Sequence, residues 1–222
     1  MCNNTRPYEQ ICFQYSLHLQ TEEGAVLHHK DFLANETAWC GGEEPQKSFI
    51  RALIHDLGED GDHGEPETGS ILVYNKSFEE SRLKAIAEKH PDARAAISRI
   101  RTRLVDLAHP FKNMHVYRSA MRGSYSLKRV LPAMVPGMTG AYSDLPIGAG
   151  GQASGTFLQL VEAALKEQGL GKYDMQLPHV HKGLLESRLK LRSDLVKYCT
   201  LDTLAMARIL EELLVIANEN EK

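Results

Sequence analysis

The 222-residue chain has no long apolar run. Its longest uncharged stretches, around 130–143 and 145–161, are broken by Gly and Pro, so neither reads as a membrane span. The cysteines Cys2, Cys12, Cys40 and Cys199 lack both CxxC spacing and a disulfide-like pattern, which points to a reducing cytoplasm. The start, Met-Cys-Asn-Asn-Thr-Arg-Pro, lacks the apolar core of a signal peptide. No internal repeat and no separating linker stands out, so a single domain over 1–222 is expected. The glycines of 138–155 precede no Lys-Ser/Thr and match no phosphate-loop pattern. Acids are nearly missing from 99–129, where Asp106 stands alone against eight Lys/Arg, a net of +7.

That deficit is local. Residues 1–98 carry nine Lys/Arg against 17 Asp/Glu, a net of −8, although the whole chain is only −3. The basic set is Arg99, Arg101, Arg103, Lys112, Arg118, Arg122, Lys128 and Arg129, interleaved with Phe111, Tyr117 and Tyr125. Cations neutralise phosphates and aromatic faces stack bases, so the stretch is a candidate nucleic-acid surface. The alternative is a solvated helix face at 99–103 followed by an ordinary loop.

Periodicity gives an α/β order. Ile11–Gln20 and Ala25–Ala34 read as strands joined by a Thr21-Glu22-Glu23-Gly24 turn. Residues 35–45 read as a polar loop, and Pro45 opens a helix to about Leu57. Gly58–Gly69 is acidic and Gly-rich and reads as a solvated loop; its Asp60-x-Asp62 lacks the later ligands of a calcium loop. Ile71-Leu72-Val73 suits a buried strand. Ser77 with Glu80 reads as a capping box opening a helix that Pro91 stops. A helix over 92–103, a strand over Leu104–Ala108 and a loop to Gly123 follow. Further helices are expected from Ser124 to Pro136, at 152–168, at 184–192 and from Ser193 to about Ala217. This order predicts a mixed sheet with helices on its faces.

Two clusters carry chemistry. Tyr198 and Asp202 are four apart in a helical segment, which puts a phenol and a carboxylate on one face. The carboxylate can hold a metal and the phenol can position a water. Asn75, Phe78 and Glu79 follow the Ile71–Val73 strand, and the helix dipole favours Glu79 in a first turn. Strand ends are where α/β folds place their sites. Each cluster also has a plain explanation: an ordinary helix pair, and an ordinary turn with Phe78 in the core. His179-x-His181, with Asp174 nearby, could face two imidazoles to one side of an extended segment, against the plainer alternative of a polar loop. Cys199 reads as a packed side chain and Asp106 as structural.

In combination the motifs say more. Arg6-Pro7-Tyr8-Glu9-Gln10, Val73-Tyr74-Asn75-x-x-Phe78-Glu79, Arg122-Gly123-Ser124-Tyr125-Ser126-Leu127-Lys128 and Tyr198-Cys199-x-Leu201-Asp202-Thr203-Leu204-Ala205 occur in that order. The set resembles an uncharacterised bacterial family of the DnaQ-like 3′–5′ exonucleases, in the Tyr-containing branch of the RNase H-like superfamily. The resemblance spans nearly the whole chain. It implies an RNase H-like mixed sheet flanked by helices. It also implies a two-metal site of Mg²⁺ or Mn²⁺ acting on DNA or RNA phosphodiesters. Asp202 matches the last metal-binding carboxylate and Glu79 the carboxylate of the second motif, usually Asp. Tyr198 matches the residue that orients the attacking water. Asn75, Phe78, Arg122, Tyr125 and Lys128 match positions near a single strand.

One departure is large. The family's first motif, Asp-x-Glu on the first central strand, is not found before Ile11. The expectation is therefore a truncated domain lacking that strand, with a natural start upstream. The N-terminal residues, a neighbouring chain (a second copy or another protein) or a rearranged strand would fill the slot. A metal-dependent 3′–5′ exonuclease-like domain is the leading expectation, with metal binding weakened by the missing first-motif carboxylates. A non-catalytic nucleic-acid-binding or interaction domain of a larger DNA/RNA-processing system is the alternative.

Overall fold

The computed structural model describes residues 10–37, 45–60, 69–173 and 178–220. They form β1 (Gln14–Leu19), β2 (His28–Leu33), α1 (Pro45–Asp56), β3 (Ile71–Val73), α2 (Lys76–Lys89), α3 (Arg94–Thr102), β4 (Leu104–Asp106), α4 (His109–Lys112), α5 (Leu127–Met134), α6 (Gly150–Tyr173) and α7 (Pro178–Asn220). The class is mixed α/β. The strands make two separate two-stranded sheets, β1–β2 and β3–β4, where one larger mixed sheet was expected. Among the described residues no helix is long and apolar enough to cross a membrane.

The chain divides into two compact units. The first comprises Met1–Ser16, Asp31–Phe49 and Leu145–Thr200, and the second Leu17–Lys30, Ile50–Asp144 and Leu201–Lys222. The first unit is built on Leu33, Ile147, Phe157, Leu160, Val161 and Leu195. Phe13 stacks on Phe157 with ring centroids 4.3 Å apart. Arg188 and Arg192 both pair with the carboxylate of Glu36, which is buried. Two cations on one buried acid satisfy a charge that could not otherwise be desolvated.

The second unit holds a β–α–α–β segment. β3 and β4 are parallel, with Ile71 opposite Leu104, Leu72 opposite Val105 and Val73 opposite Asp106. Parallel strands need a crossover, here α2 and α3. The core beneath is Leu107, Phe111, Met121, Val130, Leu131, Met134, Ala205 and Ile209, with Leu72, Tyr74, Leu127 and Tyr142 packed against it. β3 is half-buried rather than buried, because it pairs on one edge only among the described residues.

Several expectations change. Of the expected solvated loop Gly58–Gly69, residues 61–68 lie outside the described residues, and Glu59 within it is not solvated. Glu59 is 4% exposed; Arg99 Nε donates to its Oε2 at 2.6 Å and Arg103 Nη1 to its Oε1 at 2.9 Å. The basic face at 99–103 is thus largely spent inside the fold, since Arg101 also pairs with Glu80. The expected loop to Gly123 contains α4 and a 3-10 turn at Ser119–Met121. The two helices expected over 184–217 are one helix, and 152–168 extends to Gly150–Tyr173. His179 and His181 lie at the start of α7, not in an extended segment. Asp62, Asp174, residues 38–44 of the expected polar loop and the N-terminal residues proposed to fill the missing strand fall outside the described residues.

Candidate nucleic-acid interface

The turn after β3 is built differently from a capping box. Asn75 adopts a left-handed conformation (φ 73, ψ 68) and gives α2 no side-chain cap. Asn tolerates that region better than most residues. Asp106, at the end of the neighbouring strand, supplies the cap instead. Its Oδ1 accepts the Asn75 N–H at 3.0 Å and its Oδ2 the Lys76 N–H at 3.1 Å. Oδ1 also accepts the Ala108 N–H at 3.0 Å. A carboxylate there satisfies orphan donors and complements the helix dipole. Ser77 donates to Asn75 Oδ1 at 2.9 Å, and Glu80, the other half of the supposed box, is engaged by Arg101. Asp106 is structural, as its strand-end position suggested.

Beyond the turn, Phe78 is exposed, with the Arg82 guanidinium 5.7 Å from its ring centroid. Of its two readings, a place in the core is thus not realised. Glu79 is half-buried and makes no hydrogen bond or ion pair among the described residues. Burial pushes its carboxyl above the usual range.

The Arg122–Lys128 segment meets this turn through Tyr74, whose hydroxyl donates to the Tyr125 backbone carbonyl. Burial, then the nearby Asp106 and Tyr125, raise the Tyr74 hydroxyl well above its ordinary value, so it stays a donor. Arg122 (φ 51) and Gly123 (φ 73) are successive left-handed residues. A non-glycine residue held there costs about 1 kcal/mol or more and marks a turn that its surroundings enforce. Arg122 is exposed, and so is the Tyr125 ring. Lys112, Arg118, Arg122 and Arg129 are exposed and form no ion pair among the described residues. Tyr117 is exposed beside them in sequence.

Asp202 accepts a hydrogen bond from the Tyr142 hydroxyl at 2.7 Å. The Lys128 ammonium lies 5.3 Å from the centroid of the same Tyr142 ring. Tyr142 thus links a residue matched to strand contact with one matched to a metal. Sequence reasoning missed it, since it sits in the glycine-containing loop set aside for lacking a phosphate pattern. Its solitary aromatic ring was the one available signal. Tyr198 is half-buried and packs on the first unit's core, while Asp202 belongs to the second; the division falls between Thr200 and Leu201 of α7.

Among the described residues no three His, Cys, Asp or Glu side chains group to hold a metal ion. Glu79 and Asp202 alone are too few donors for a two-metal pair.

A family model described as "Domain of unknown function (DUF2779)" matches residues 1–126. The chain belongs to this DUF2779 family. The matched span contains Asn75, Phe78, Glu79, Asp106, Arg122 and Tyr125; Lys128, Tyr142, Tyr198 and Asp202 lie beyond it. No curated protein and no solved structure matches the chain.

Proposed function

We propose that this chain is an exonuclease-like domain that binds a single strand of DNA or RNA. The surface is that of residues 75–79 and 112–129 in the second unit. The observation that carries the reading is the set of exposed cations Lys112, Arg118, Arg122 and Arg129, without ion pairs among the described residues and accompanied by exposed Tyr117 and Tyr125. The one acid of 99–129, Asp106, is occupied by three backbone N–H groups and does not quench them.

The chemistry follows from the residue types. Each cation set against a phosphate releases a counterion, so affinity falls with salt, at about 0.7 log units per contact and per decade for single strands. An exposed tyrosine ring stacks any base, worth about 1–3 kcal/mol. Neither contact reads sequence, and the expected binding is tolerant of it.

The test is fluorescence anisotropy with a labelled single strand across a salt series. Four cations predict a log–log slope near −3. Arg122→Gln lowers that slope by about 0.7, and Tyr125→Ala weakens binding at least fivefold without changing it. Binding that is absent at low salt, or insensitive to both variants, defeats the reading.

A second reading, phosphodiester cleavage, is favoured by the carboxylates Glu79 and Asp202 and by the Tyr142 hydrogen bond on Asp202. It requires Mg²⁺ or Mn²⁺, with carboxylates further to those two. Cleavage from the 3′ end that needs divalent metal and is lost in Asp202→Asn supports it. Binding without cleavage leaves the chain a binding or interaction domain.

A further inference from the structure

We propose a second anion site, independent of the strand surface, in the groove between α2 and α3, which takes a phosphate group. A cleft of about 250 Å³ there is lined by Lys84, Ala87, Glu88, Arg94, Ser98 and Arg101. Lys84 and Glu88 come from α2, and Arg94, Ser98 and Arg101 from α3, so cations of two packed helices converge on one space.

The cations are only partly neutralised. Arg101 Nη2 donates to Glu80 at 2.9 Å, and its Nε is buried with no partner among the described residues. Arg94 Nε donates to the Ala87 carbonyl at 3.4 Å, and no ion pair forms at Lys84 or Arg94 among the described residues. Two guanidinium groups, an ammonium and a hydroxyl arranged around one cleft suit a tetrahedral oxyanion, which accepts from several directions at once. A flat carboxylate would leave donors on one helix unused. Glu88 is the opposing feature: its charge weakens the site and makes it tunable. The phosphate has two sources, a free phosphate or monoester and the terminal phosphate of a strand.

Calorimetric titration of inorganic phosphate into the full chain, with ionic strength held by chloride, is the direct test. Saturable binding is expected. Changing one charge in an exposed cleft alters affinity about fivefold. Lys84→Gln with Arg94→Gln therefore weakens phosphate about 25-fold, and Glu88→Gln tightens it about fivefold. These side chains are exposed and form no ion pair among the described residues, and a thermal melt confirms each variant is folded. No saturable heat, or the same affinity in the double variant, overturns the site. A second arm compares oligothymidylate with and without a 5′-phosphate. Tighter binding of the phosphorylated strand, lost in Arg94→Gln, assigns the site to strand ends. Equal binding of both strands while free phosphate still binds assigns it to a free phosphate or monoester.

Discussion

Replacing Asp106 tests how the turn carrying Asn75, Phe78 and Glu79 is held. The carboxylate accepts three backbone N–H groups at 3.0, 3.1 and 3.0 Å. Two belong to the left-handed entry into α2 and one to the chain leaving β4. A hydrogen bond to a charged group contributes about 1.5–3 kcal/mol, and losing a helix cap alone costs about 0.5–2 kcal/mol. The three bonds share one anion and do not add fully, so Asp106→Ala should cost about 3–4 kcal/mol. Asp106→Asn is the sharper variant. Its single carbonyl oxygen serves one side of the carboxylate's footprint, and its amide NH₂ must face a backbone N–H, donor against donor. A loss of about 2 kcal/mol is expected, or a fall in Tm of about 4–8 °C for a chain of this size. Urea unfolding followed by far-UV circular dichroism measures it. Asp106→Asn within about 0.5 kcal/mol of the parent would refute the assignment of Asp106 as the cap.

Other consequences concern charge burial. Glu79 has a carboxyl pushed upward by burial, so its ionised form opposes folding. Glu79→Gln should therefore stabilise the chain by about 1 kcal/mol at pH 7. The gain should disappear as the pH falls below the ordinary glutamate value of 4.5, where the unfolded carboxyl is also protonated; a gain independent of pH in chemical denaturation contradicts it. Arg103→Ala leaves the buried Glu59 with Arg99 alone and should cost about 3 kcal/mol. Adding Glu59→Leu should recover part of that loss, and a double-mutant cycle with no coupling counts against the ion cluster.

Local signals were legible and distant ones were not. The Thr21–Gly24 turn was readable because Gly24 supplies its positive φ (79) within the turn itself. Pro45 marked the start of α1 and Pro91 the stop of α2, since proline acts on its immediate neighbours. The Ser77/Glu80 pair misled because a capping box and this turn share residue types. The actual cap, Asp106, comes from 31 residues away, which no local spacing reveals. Glu59 looked solvated in a Gly-rich acidic stretch, yet its partners are 40 and 44 residues distant. Ser193 looked like a new helix start; in α7 the backbone runs straight through it, with Arg188 and Arg192 fixing that stretch on Glu36. For the site, the sequence named Asp202 and Lys128 but not Tyr142, whose role is a contact across 60 residues.

The measurement closest to the central claim is the salt dependence of single-strand binding, read together with Arg122→Gln. The proposed interface predicts an affinity that falls with salt at a slope near −3, reduced by about 0.7 in the variant. Salt-independent binding, or a slope that Arg122→Gln leaves unchanged, would contradict it.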